Sequence, residues 1–108
     1  MKLASNRLVL DSWALLSTFY VEQPACETVE QMLLDASKGK VLLWLSSINL
    51  GEIYYSVGRR RSLQAANDTI SRLRQMPITV DPVDEEIVLQ AASYKMRYPI
   101  SYADAFAV

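Results

Sequence analysis

Hydrophobic and polar positions along this chain change period at short intervals. Leu50, Ile53, Tyr54 and Val57 recur at i, i+3, i+4 and i+7, the spacing of one helix face. The pattern predicts a helix from Ser47 to about Arg61. Just before it, Val41 to Leu45 is an unbroken apolar run of β-compatible residues. A run this short reads as a strand buried on both faces. Arg7 to Leu10 also reads as a short buried strand, ended by Asp11 and Ser12. Trp13 to Val21 follows as a helix, closed before Pro24. Pro24 to Ser37 sets an apolar face (Val29, Met32, Leu33) against a wet one (Glu27, Glu30, Gln31), and Gly39 is its stop.

The second half repeats the alternation. Ser62 caps a helix to about Gln75, with Ala66, Ile70 and Leu73 inward, and Pro77 breaks it. Ile78 to Val80 reads as a third strand, closed by Asp81 and Pro82. Asp84 caps the next helix, and Glu85 and Glu86 sit in its first turn, where the helix dipole favours negative charge. Ile87, Val88, Ala91 and Ala92 mark its buried face. Pro99 separates it from a final segment, Ser101 to Val108, in which Ala103, Phe106 and Ala107 share a helical face. Strands alternating with helices predict an α/β fold: a parallel sheet, right-handed crossovers and helices on both faces. The 108 residues are enough for one domain and not for two. A final helix this apolar is expected to lead into another strand, so residues 1–108 read as one domain lacking its C-terminal part.

Composition narrows the chemistry. Hydrophobic residues make up 51% of the chain, which predicts a packed core rather than disorder. The net charge of −1 creates no global field that would draw in nucleic acid, so any such partner must use a local patch. There is no histidine, which removes the commonest general base and the usual zinc ligand. The single cysteine, Cys26, excludes an internal disulfide and reads as a small apolar filler. Chemistry is left to carboxylates, hydroxyls, amines or a metal. Asp11 interrupts the first apolar run too early for a signal peptide. No stretch approaches the roughly 18 uncharged apolar residues of a membrane span, so a cytoplasmic setting is expected.

Three acids stand out by position. Asp11 follows the first strand, Glu52 lies one turn into the helix after the second, and Asp104 lies one turn into the last helix. In a parallel sheet, strand ends and the helix starts that follow them face one crevice. Carboxylates gathered there repel one another unless a cation joins them. Oxygen ligands without histidine or thiolate suit Mg²⁺ or Mn²⁺. Each acid also has a plainer reading. Asn49-x-x-Glu52 resembles a capping box, Asp11 a turn acid or N-cap, and Asp104 the third position of a box opened by Ser101. Arg59, Arg60 and Arg61 either complete a helix C-terminus or contact phosphates. Trp44, Tyr54 and Tyr55 read as core rather than as base-stacking platforms.

Val9-Leu10-Asp11-Ser12, the segment Ser46 to Tyr55, and Ala91-Ala92 through Lys95 to Ile100 and Ala107 resemble, in order and spacing, a PIN-domain ribonuclease of the VapC toxin type. The resemblance spans essentially the whole chain. It implies an α/β/α sandwich and metal-dependent cleavage of RNA with Mg²⁺ or Mn²⁺. It further implies that Asp11, Glu52 and Asp104 are the catalytic, metal-binding acids, with Ser12 and Asn49 as polar supports. The implied partners are RNA, a cognate antitoxin protein and a second copy of the chain. The family carries a further acid in a Thr-Gly-Asp-like segment at the end of the next strand, and none is found before Val108. The family's later strands lie beside the first one, so that edge is expected to be unpaired here. This leaves an alternative: a catalytically impaired domain that only binds an antitoxin, its acids receiving a basic residue. A third reading, a phospho-accepting receiver domain, expects an acidic pair after the first strand, and Ser12 stands there instead.

Overall fold

The structure, a computed structural model, describes residues 7–19 and 25–107. The expected reach of the first helix to Val21, the start of the second at Pro24, and the Cys26 side chain lie outside the described residues. The elements are β1 (Arg7–Leu10), α1 (Ser12–Phe19), α2 (Ala25–Ser37), β2 (Leu42–Ser46), α3 (Ser47–Arg60), α4 (Leu63–Leu73), β3 (Ile78–Asp81), α5 (Glu85–Arg97) and α6 (Tyr102–Ala105). The strands pair in parallel in the order β1-β2-β3. Val9 lies opposite Trp44, and Trp44 opposite Thr79.

Successive residues of β2 point to opposite faces of the sheet. Leu43 and Leu45 enter the main core with Leu10, Leu15, Ile53, Val57 and Leu73, so α1 to α4 cover that face. Trp44 and Ser46 look the other way, toward Ile87, Gln90 and Phe106 of α5 and the end of α6. A smaller core there joins Ala91, Ala105 and Phe106 to Ile48, Val88 and Ile100.

Local chemistry accounts for the element ends. Ser46, Ser62, Asp84 and Ser101 cap α3, α4, α5 and α6, each accepting a backbone N–H with its side-chain oxygen. Helix α2 closes in a Schellman motif: Gly39 N–H donates to Ala36 O at 3.0 Å and Lys40 N–H to Asp35 O at 2.9 Å. Gly39 adopts φ +76°, the left-handed region in which a Cβ is penalised.

Burial departs from expectation on the strands. Only Leu10 of β1 is buried; Arg7, Leu8 and Val9 are exposed, because β1 is an edge of the sheet among the described residues. On β2, Leu42 is exposed and Trp44 half-buried, since α5 and α6 cover only part of that face. In α4, Thr69 is buried while Ile70 is half-buried, and the Thr69 hydroxyl donates to Ala65 O at 2.8 Å. In α5 only Ala91 is fully buried. The last helix is shorter than its pattern: it ends at Ala105, with Phe106 as C-cap, and Ala105 and Phe106 are the buried pair. Among the described residues no helix is long and apolar enough to cross a membrane.

Candidate active site

The carboxyl ends of β1 and β2 meet the first turns of α1, α3 and α6. Asp11, the residue after β1, accepts the Ala14 N–H on Oδ1 at 2.8 Å. It therefore caps α1, as its plainer reading held. Ser12, the first helical residue, is buried, and its hydroxyl donates to Glu52 Oε1. That bond ties α1 to α3 across the crevice.

Ser46 caps α3 by accepting the Ile48 N–H at 3.1 Å. Asn49 is then the third helical residue and Glu52 the sixth, so the pair does not form the helix's capping box. Asn49 is 0% exposed. Its amide donates from Nδ2 to Ala103 O at 3.1 Å, pinning α6 against α3. Its Oδ1 is buried with no partner among the described residues. A helix-face reading of α3 places Asn49 away from the core side; α6 packed over it is what buries it. Asp104 lies exposed in α6, its N–H donating to the Ser101 hydroxyl at 3.1 Å. This is the forward half of a capping box.

Electrostatics connects the three acids. Burial pushes the Glu52 carboxyl above its ordinary value, the charges of Asp104 and then Asp11 push it further, and the Asn49 amide opposes them. The acids thus act on one another through one field. They do not close into a single inner shell: among the described residues no three acid, histidine or cysteine side chains stand close enough to grip one ion directly. That spacing is compatible with Mg²⁺, which keeps several waters and takes one or two protein carboxylates.

The arginine run lies elsewhere. Arg59 and Arg60 fill the last turn of α3, and Arg61 is its C-cap. At 1.5 Å per residue, Arg59 is about 10 Å further along the axis than Glu52. Tyr54 and Tyr55 are exposed rather than core, and the Tyr54 hydroxyl donates to Asn67 Oδ1 at 2.9 Å. Asp81 stands at the end of β3, opposite Ser46. Its place at a strand's carboxyl end is the same signal that singled out Asp11. With Arg7, Trp44, Ser46 and Gln90 it lines a cavity of about 440 Å³ on the second face of the sheet. The Arg7 guanidinium lies 5.1 Å from the Trp44 ring centroid, and Trp44 Nε1 is buried without a partner among the described residues.

A model of the PIN domain family matches residues 8–108. The chain belongs to the PIN domain family. Among solved structures, this PIN domain is similar to the crystal structure of VapC20 from Mycobacterium tuberculosis, a toxin that cleaves the sarcin-ricin loop. The TM-score is 0.65 at 20% identity, over 93% of this chain and 76% of that one. At that identity the likeness speaks for the fold. No curated protein matches the chain. A PIN domain is the α/β arrangement expected from the strand and helix alternation, and its sheet ends are where the three acids stand.

Proposed function

We propose that this PIN domain is a Mg²⁺- or Mn²⁺-dependent endoribonuclease, the toxin of a toxin–antitoxin pair. The observation that carries the reading is the meeting of Asp11, Glu52 and Asp104 where β1 and β2 end and α1, α3 and α6 begin, held by the Ser12–Glu52 and Asn49–Ala103 bonds; burial raises the Glu52 carboxyl, and Asp104 and Asp11 raise it further. A crevice of mutually repelling carboxylates is a cation site by its chemistry. Asp11, Glu52 and Asp104 would hold the ion, partly through water. When bound, the ion supplies a nucleophile at neutral pH and stabilises charge on the scissile phosphate. The Ser12 hydroxyl orients Glu52, and Asn49 holds the α6 backbone beside it. Asp11 is steadied by its bond to the first turn of α1. The expected partners are RNA, an antitoxin whose basic residue enters the acidic crevice, and a second copy of the chain.

The test is cleavage of a structured RNA with and without EDTA. Asp11→Asn and Asp104→Asn are expected to lower the rate by on the order of 100-fold or more. Equal cleavage in EDTA, or undiminished cleavage by Asp11→Asn, would refute the metal site. A second reading is a module that binds antitoxin without cutting RNA. The absence of a direct three-ligand shell among the described residues favours it. Tight association with a small basic protein, together with no cleavage in Mg²⁺ or Mn²⁺, would select that reading.

A further inference from the structure

Three of the chain's six tyrosines fall within the nine residues Tyr94 to Tyr102. The local structure explains why they are presented to solvent. The buried face of α5 is spent on Ala91, Ile87 and Val88 against α6, which leaves Gln90, Tyr94 and Arg97 on one outward row. Pro99 disfavours helical geometry at the residue before it, and Tyr98 accordingly leaves the helix with φ −127° and ψ 145°. Its ring folds back on Tyr94: the centroids are 5.8 Å apart and the planes 29° from parallel. Tyr94 is 40% exposed and Tyr98 51%. A groove of about 360 Å³ runs between Gln90, Ser93, Tyr94 and Arg97. Gln90 also lines the cavity that holds Arg7 and Trp44.

At its Gln90 end this row meets Asp81, which shares the cavity; toward the end of α5 the charges are basic. From Ile87 to Ala103 the charged residues are Lys95 and Arg97, with no acid. Lys95 Nζ donates to Ile100 O at 3.4 Å, which ties the end of α5 to the entry of α6 and so to Asp104. Solvent-facing rings followed by cations suit a strand of nucleic acid whose bases stack while its phosphates meet the cations.

We propose that the Tyr94–Tyr98 ledge, with Arg97 and Gln90, binds single-stranded RNA and leads it toward the acidic crevice. This rests on the ribonuclease reading for its purpose, but binding is measured apart from cleavage. The probe is a fluorescein-labelled 12-nucleotide single-stranded RNA, followed by anisotropy in EDTA, with an RNA hairpin of equal composition as control. Tyr94→Ala and Tyr98→Ala should each weaken binding of the single strand about tenfold, the worth of one stacked base, and leave the hairpin nearly unaffected. Tyr98→Phe should retain affinity, because the ring face is what binds. Arg97→Gln should lower the slope of log affinity against log salt by about 0.7.

Wild-type affinity in the Tyr94→Ala, Tyr98→Ala double variant, with unchanged thermal unfolding, overturns the ledge. So does an absence of any binding of the strand by the wild type. Loss of antitoxin association with retained RNA affinity also overturns it, and assigns the surface to a protein. If the tyrosine dependence holds while the wild type cuts no RNA with Mg²⁺ or Mn²⁺, the ledge stands and the ribonuclease reading falls.

Discussion

Glu52 is the residue at which the site's electrostatics can be read most directly. Its carboxyl keeps its proton to a higher pH when folded than when unfolded, chiefly through burial and then through Asp104 and Asp11. The folded chain therefore binds more protons between the two values, and stability falls as pH rises across that window. Below the ordinary carboxylate range both states are protonated and Glu52 costs nothing. Above the raised value the full cost is present. Glu52→Gln keeps an acceptor for the Ser12 hydroxyl and removes the charge. In EDTA it is expected to unfold at a higher temperature than the wild type at pH 7, with the gain gone by about pH 4. Thermal unfolding across pH measures this, and an equal or lower melting temperature at pH 7 would contradict it. Asn49→Ala is expected to cost about 1–3 kcal/mol, because the part-buried Ala103 O loses its donor. Urea unfolding gives that value, and a loss near zero would mean that α6 does not depend on the bond.

Among the elements, α2 and α3 offer opposite glycine tests. Gly39 ends α2 with φ +76°, and nothing lies within 4 Å of the position a Cβ would take. Any penalty for Gly39→Ala is then backbone alone, expected at about 1–2 kcal/mol. Gly51 lies inside α3, also with nothing within 4 Å of an added Cβ. Gly51→Ala should stabilise by about 0.5–1 kcal/mol, since alanine restricts the unfolded chain and fits the helix. Paired chemical denaturation of the two variants checks both signs. Like signs would show that local backbone geometry does not govern these two sites.

At the scale of the whole molecule, β1 is the edge of the sheet among the described residues, with Val9 52% exposed. A strand edge with free backbone groups pairs readily with another. Two copies are expected to associate along β1, in line with the homodimer proposed above. Light scattering over a concentration series should show the mass rising toward a dimer. Val9→Lys, which places charge on the edge, should shift it back to monomer. A wild type that remains monomeric throughout would remove the edge from the interface.

Neighbours along the chain decide where the elements start and stop. Ser62, Asp84 and Ser101 announce helix starts because a cap acts within one turn. Short apolar runs marked the three strands, and the positions of Asp11, Glu52 and Asp104 just after strands were visible because strand and helix boundaries are local. The tertiary structure decided what depends on which elements cover which. Leu8 and Val9 look like core residues in sequence, yet among the described residues they lie on an edge, since periodicity carries no information about the next strand. Asn49 reads as a cap in sequence, but Ser46 takes that place, and α6 laid over Asn49 is what buries it. As separate letters, Tyr94 and Tyr98 carry no sign of a shared surface. Their stacked rings exist because Pro99 turns the chain there, and because the inner face of α5 was already occupied by α6.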